Sequence, residues 1–225
     1  MMMPLRRART SGAIDNRVYP GIGSISSLVT WAAVSDLPLA DNNAITGITA
    51  RGGTAGNWTS YTANPTFKAN IINGNPVARF TVGNMAFSFA SSVNIQTFFL
   101  VGNNPGTDYA FTIGNSPFWH ADPTYWASSA FANSNWYNAA VYRNGASQGQ
   151  AKVVTRAGVT TNYIWSFELV GQIAATYFGL GNQSGRNYSG DVAEFIAFSA
   201  ALSNTDWNAV LSYLGNKYNY SVTFK

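Results

Sequence analysis

Short runs of β-branched and aromatic residues recur along this chain, and four of them stop on a Gly-Asn pair: Val82-Gly83-Asn84, Val101-Gly102-Asn103, Ile113-Gly114-Asn115 and Leu180-Gly181-Asn182. Branched and aromatic side chains suit a pleated, half-buried surface, and Gly and Asn tolerate left-handed backbone angles, so the pattern predicts strands closed by turns. The runs Val77–Val82, Met85–Phe89, Ile95–Val101, Tyr109–Ile113, Tyr137–Tyr142, Tyr163–Val170, Ala175–Leu180 and Val192–Phe198 follow one another at sandwich-like spacing. Asn73-Gly74 and Asn144-Gly145 add two hairpin signals. The Gly-Asn pairs recur irregularly, which is turn chemistry and excludes a propeller repeat.

One helix is expected after the last long strand. Ser203 is placed as N-cap with Asp206 three residues on, Trp207, Val210, Leu211 and Leu214 form an apolar stripe, and Gly215 stands where a C-cap belongs. Tyr218, Tyr220, Val222 and Phe224 then alternate with polar residues and read as a final strand. Strands in series with one late helix predict an all-β fold, an antiparallel β-sandwich with one short C-terminal helix, and no βαβ rhythm supports a nucleotide fold. A polar, basic lead ends at Tyr19-Pro20-Gly21 and no linker follows, so residues 1–20 are expected to be an arm and 21–225 one domain.

The 225 residues are 46% hydrophobic and 15% aromatic, enough to build a core without staples, and the absence of cysteine excludes disulfides, thiolate zinc sites and Cys nucleophiles. No apolar run approaches the roughly 18 residues of a membrane span, so no membrane insertion is expected. Only 10% of residues are charged. Of the net +4, Arg6, Arg7, Arg9 and Arg17 against Asp15 leave +3 in the arm, so the body lacks the basic stripe that nucleic acid requires. The start Met1 to Arg9 resembles the charged lead of a signal peptide, yet no apolar stretch follows it, and export by that route is not expected. The sequons at Asn57, Asn182, Asn187 and Asn219 are about as many as chance supplies in a chain this rich in Asn, Ser and Thr.

Three segments carry a resemblance. Asn73-Gly74-Asn75-Pro76-Val77-Ala78-Arg79-Phe80, Ile95-Gln96-Thr97-Phe98-Phe99-Leu100-Val101 and Gly190-Asp191-Val192-Ala193-Glu194-Phe195-Ile196-Ala197-Phe198 resemble, in that order, the "NGxPxVRF", central and "GDIAEVIVY" strands of the concanavalin A-like lectin/glucanase superfamily in its laminin-G-like branch. Ala201-Leu202-Ser203 and Tyr213-Leu214-Gly215-Asn216-Lys217-Tyr218 are similar to the helix that follows in that family, and the likeness covers about residues 22–218. The resemblance implies a jelly roll of two stacked antiparallel sheets that binds through loops at one rim or through its concave sheet. Such domains occur in lectins, glycosidases, adhesion proteins and phage structural proteins, so the fold does not settle the function.

The family's glycosidases use a Glu-x-Asp-x-x-Glu strand, which this sequence lacks. Its only glutamates are Glu168 and Glu194, and Asp191 and Glu194, three apart on one strand, are expected on opposite faces in structural roles. A Glu168–Glu194 pairing through the fold stays open. The single histidine, His120, has no Gly-x-Ser-x-Gly partner motif, and Asp41-Asn42-Asn43 and Asp108 form no calcium loop, so no catalytic residue, metal or cofactor is assigned.

The remaining chemistry is aromatic. Phe118-Trp119-His120-Ala121-Asp122-Pro123-Thr124-Tyr125-Trp126, with Trp136 and Tyr137 after it, offers rings to stack on sugar C–H faces and polar groups for hydroxyls. Trp119, His120, Asp122, Tyr125, Trp126 and, in a second polar-aromatic loop, Arg186 and Asn187 are the candidate carbohydrate contacts. The alternative is that these rings fill the core or a subunit interface. Arg6, Arg7, Arg9 and Arg17 are candidate anchors to a larger assembly, with a solvated tail as the alternative. The expected protein is a non-enzymatic virion surface component: a capsid decoration, head-fibre or tail-fibre module. Its partners would be coat or other virion proteins, further copies of itself in a homo-oligomer, and cell-surface glycans. A divergent glycoside hydrolase and a purely structural subunit without sugar binding are the rivals.

Overall fold

The computed structural model describes residues 21–81, 85–103, 125–127, 133–154, 161–179 and 189–225. Ten strands and two α-helices lie among them: β1 Leu28–Ala33, β2 Gly47–Ile48, β3 Trp58–Thr62, β4 Thr66–Ile72, β5 Asn75–Phe80, β6 Met85–Gly102, α1 Ser134–Tyr137, β7 Ala140–Arg143, β8 Ala146–Gln150, β9 Tyr163–Phe178, β10 Gly190–Phe198 and α2 Asn204–Tyr218. The ladders run in the order β4-β5-β10-β6-β9-β7-β8, with β1 added to β10, β3 to β6 and β2 to β3. Every ladder between these strands is antiparallel, the all-β architecture that the strand runs predict.

Two pairs of runs expected as separate strands are continuous. Met85–Phe89 and Ile95–Val101 are the two halves of β6, and Tyr163–Val170 and Ala175–Leu180 fall largely within β9. The β6–β9 ladder shifts register between Ser88 and Val93 and again between Ile95 and Thr97. Such irregularities bend a strand without ending it. The first half of β6 therefore pairs with β3 and the second with β10, while β9 follows both. Both hairpin signals hold: Asn73 and Gly74 (φ 48° and 82°) join β4 to β5, and Asn144 and Gly145 (φ 50° and 82°) join β7 to β8.

Two apolar clusters follow from this curl. One gathers Trp58, Phe80, Phe87, Phe98, Phe167, Phe178 and Phe195 within the fold, and the other lies between the sheet and α2, where Phe99, Val101, Ile164, Ile196 and Phe198 meet Trp207, Val210, Leu211 and Leu214. Strand β10 has a cluster on each side, and all nine of its residues are buried.

The helix begins as expected, with the Asp206 amide donating to Ser203 Oγ at 3.1 Å. It does not end at Gly215. Helix α2 continues to Tyr218 and is capped by Asn219 in the left-handed conformation (φ 55°, ψ 50°). Gly215 serves contact: a Cβ there would stand 3.0 Å from both Tyr220 O and Val222 Cγ1. The expected final strand is an irregular strap over α2, held where Thr223 N donates to Asn144 O (2.8 Å) and Lys225 N to Asn208 Oδ1 (2.9 Å). Tyr218 belongs to the helix because its hydroxyl reaches Glu194 from there (2.8 Å). Gly102 likewise answers to contact and not to a turn, since a Cβ would sit 2.1 Å from Asp191 O.

Candidate functional site

Several chain ends meet at one rim of the sheet. Gly190 lies opposite Phe80, Val192 opposite Gly102, and Gly102 opposite Tyr163, so β5 and β6 end where β9 and β10 begin. Asn103 ties them: its amide donates to Asp191 O (3.0 Å), its Oδ1 accepts from Asp191 N (3.1 Å), and its Nδ2 donates to Asn162 Oδ1 (2.9 Å). The Arg79 guanidinium closes β5 onto β10 with a two-pronged bond to Asp191 at 2.7 and 2.8 Å. That hydrogen bond holds the Arg79 pKa above its ordinary value. The far end of β9 returns to the same place, for Gly179, in the left-handed region at φ 91°, would put a Cβ 3.0 Å from the Phe80 ring.

From this rim depart the segments 82–84, 104–124 and 180–188. Trp119, His120, Asp122, Arg186 and Asn187 fall on the last two and lie outside the described residues, as do Arg6, Arg7, Arg9 and Arg17. The structure thus brings Asn103, where segment 104–124 begins, together with the flanks of segment 180–188.

Tyr125 and Trp126 are described. Tyr125 is half-buried, whereas Trp126 is 1% exposed, with its ring edge-on to Trp165 (centroids 4.9 Å apart) and Phe167 (5.4 Å). Its amide donates to Val154 O, and its carbonyl accepts from Trp136 Nε1 (both 3.2 Å). Trp136 stacks on Phe167 and Phe98. Trp126 is therefore corrected from a candidate stacking ring to a core residue: its surroundings leave no ring face for a ligand.

The carboxylates are committed elsewhere. Strand β10 shifts register against β6 between Val192 and Glu194, and this irregularity puts Ala193 and Glu194 together on the α2 side, the side that Asp191 shares with Ala193 by alternation. The expectation that Asp191 and Glu194 face opposite ways is overturned by that one extra residue. Glu194 Oε1 accepts from Trp31 Nε1 (2.6 Å) and Tyr213 OH (2.7 Å), and Oε2 from Lys217 Nζ (2.6 Å) and Tyr218 OH (2.8 Å). Arg51 stands 3.7 Å away and is itself bound to Asp36. Burial opposes the charge on Arg51, but Asp36 and Glu194 outweigh it and raise its pKa; burial and the Glu194 charge raise those of Tyr213 and Tyr218. Among these groups Glu194, Tyr213, Lys217 and Tyr218 lie in the segments that carry the resemblance, whereas Trp31, Arg51 and Asp36 carried no sequence signal.

Glu168 lies opposite Thr97 and is paired with Lys225, while Glu194 lies opposite Val101 across the other edge of β6. Four residues along and two strands across place the two acids on the order of 15 Å apart, beyond either glycosidase spacing. At Asp41-Asn42-Asn43, Asp41 Oδ1 accepts from Ala69 N (2.8 Å) and Oδ2 from Asn42 Nδ2 (3.0 Å), and no group of three potential metal ligands occurs among the described residues. No helix of the described residues is long and apolar enough to cross a membrane. No protein-family model, curated protein or solved structure matches the chain.

Proposed function

We infer that the protein is a non-enzymatic module of a virion surface, a capsid decoration, head-fibre or tail-fibre subunit. In this reading the curled sheet is a concanavalin A-like jelly-roll sandwich whose rim adheres to glycans. Arg6, Arg7, Arg9 and Arg17 anchor the arm to coat protein or to further copies, and no nucleic acid is bound. The observation that carries the reading is the meeting at one rim of Asn103, where the segment holding Trp119, His120 and Asp122 begins, with the flanks of the segment holding Arg186 and Asn187. Loops gathered on a rigid scaffold are where binding residues concentrate. The double crossing of β6 and β9 supports two layers, and the separation of Glu168 from Glu194 argues against a retaining or inverting pair.

The burial of Trp126 and Trp136 favours a second reading, a purely structural subunit whose aromatic stretch is core. A glycan array with purified protein separates the two. Binding to a cell-surface glycan that weakens in Trp119→Ala, with no hydrolysis of that glycan, is the expected outcome. An array without signal leaves the structural subunit, and hydrolysis of a bound glycan by the wild-type protein overturns the non-enzymatic reading.

A further inference from the structure

Strand β3, Met85–Asn94 of β6 and Gly171–Phe178 of β9 lie side by side and contain no Asp, Glu, Lys or Arg. Trp58, Phe87, Phe89 and Phe178 turn into the first core, which leaves their neighbours Thr59, Ala86, Ser88 and Tyr177, and Tyr61 beyond them, on an outer face. On that face Tyr61 stands opposite Ala86 and Tyr177 opposite Ser88. Strands on either side of a middle strand are about 10 Å apart. The two phenol rings nevertheless meet over β6, with centroids 4.7 Å apart and planes tilted by 55°. Ala86, fully buried, lies opposite one of them, and its single methyl group lets the rings close over the strand. Tyr61 keeps 37% of its surface in solvent. Beside the pair are the exposed Thr59, and Ser88, whose Oγ donates to Thr59 O (3.2 Å).

We propose that Tyr61 and Tyr177 form a binding platform for a neutral glycan, with a pyranose packed by its C–H face against the tilted ring pair. The proposal rests on the glycan-adhesion reading and gives it a place on the outer sheet beside the rim, since Tyr177 is two residues before Gly179, where segment 180–188 departs. Charge selects the ligand class. Phosphates, nucleic acids and acidic sugars are held by Lys and Arg, and these strands have none. A tilted ring pair with hydroxyls beside it matches a sugar, which has an apolar face and a polar edge. A second copy of the chain is a poorer fit: a stable interface takes about 800 Å² from each partner. Among the described residues, the other exposed large apolar side chains, Ile71, Val153, Val170 and Phe224, lie off these three strand segments.

The test is an array of neutral oligosaccharides, followed by titration of the best-bound one against wild type, Tyr61→Ala, Tyr177→Ala, Tyr61→Phe and Trp119→Ala. Each alanine variant is expected to bind at least about fivefold more weakly, and Tyr61→Phe, which keeps the ring, to retain most of the affinity. In wild type labelled on tyrosine, the ring NMR signals of Tyr61 and Tyr177 should shift on titration, a readout that survives if an alanine variant fails to fold. Unchanged affinity in both alanine variants and unmoved ring signals, with binding lost in Trp119→Ala, would remove the platform and leave the glycan reading standing. No binding by wild type would remove both. A wild-type dimer that Tyr61→Ala converts to monomer would reassign the face to self-association.

Discussion

Glu194 accepts four hydrogen bonds in a layer closed to solvent, and its role follows from the cost of burying a charge. Its donors come from β1 and α2, so one side chain joins the helix to the sheet. Replacing it with alanine would leave the buried Trp31 and Tyr hydroxyl donors and the Lys217 ammonium without their acceptor. Glu194→Ala is expected to lose about 3–5 kcal/mol in urea unfolding, and a loss under 1 kcal/mol would show the network to be incidental. The tyrosines add a pH dependence. Burial, then the Glu194 charge, raises the folded pKa of Tyr213 and Tyr218 above the unfolded value of about 10, so their contribution is complete below pH 10 and is lost as pH climbs above it. Ring NMR of labelled tyrosine across that range should show both ionising only as the protein unfolds. Titration of either near pH 10 in the folded state would contradict the assignment. The acid itself was legible as structural, because a Glu in an apolar strand needs partners. Which face it takes was not, because a single irregular step in β10 decides that and leaves no mark on composition.

The elements were legible wherever local chemistry decides the conformation. Asn73-Gly74 and Asn144-Gly145 turn as their backbone angles require, and Ser203 starts α2 because its hydroxyl takes the Asp206 amide. Where tertiary contact decides, the local signal misleads. Gly102 and Gly215 look like turn or cap glycines and are instead places where another backbone comes close, and β6 and β9 bend where their sequence suggests a break. Two substitutions separate these causes. Gly74→Ala meets open space but a φ of 82°, and is expected to cost about 1 kcal/mol. Gly102→Ala keeps an ordinary φ but drives a methyl group to 2.1 Å from Asp191 O, and is expected to cost about 3 kcal/mol while loosening the rim that Asn103 ties. Thermal melts and amide exchange at Val192 would read both. Equal costs would mean that close approach is not what keeps Gly102.

For the whole molecule, the strand runs carried the all-β class, and the rim was implied only through the resemblance, since strand ends far apart in sequence meet there by folding alone. The aromatic stretch divides at a boundary that spacing does not reveal: Trp126 and Trp136 are core, whereas Tyr61 and Tyr177, far apart in the chain, make a ring pair that no linear motif announces. The proposed arm rests on different physics. If extended, a segment of 20 residues would reach roughly 60 Å, enough to cross onto a neighbouring subunit in the proposed assembly, where its arginines would suit two-pronged bonds to carboxylates. The central claim, that this is a component of a virion surface held by its arm, is tested most directly by mass spectrometry and immunogold electron microscopy of particles purified from the source of the gene. Full-length protein should be found on the particle surface, and protein lacking residues 2–18 should be folded but absent from it. Particles without the protein, or truncated protein present at the full-length copy number, would contradict the account.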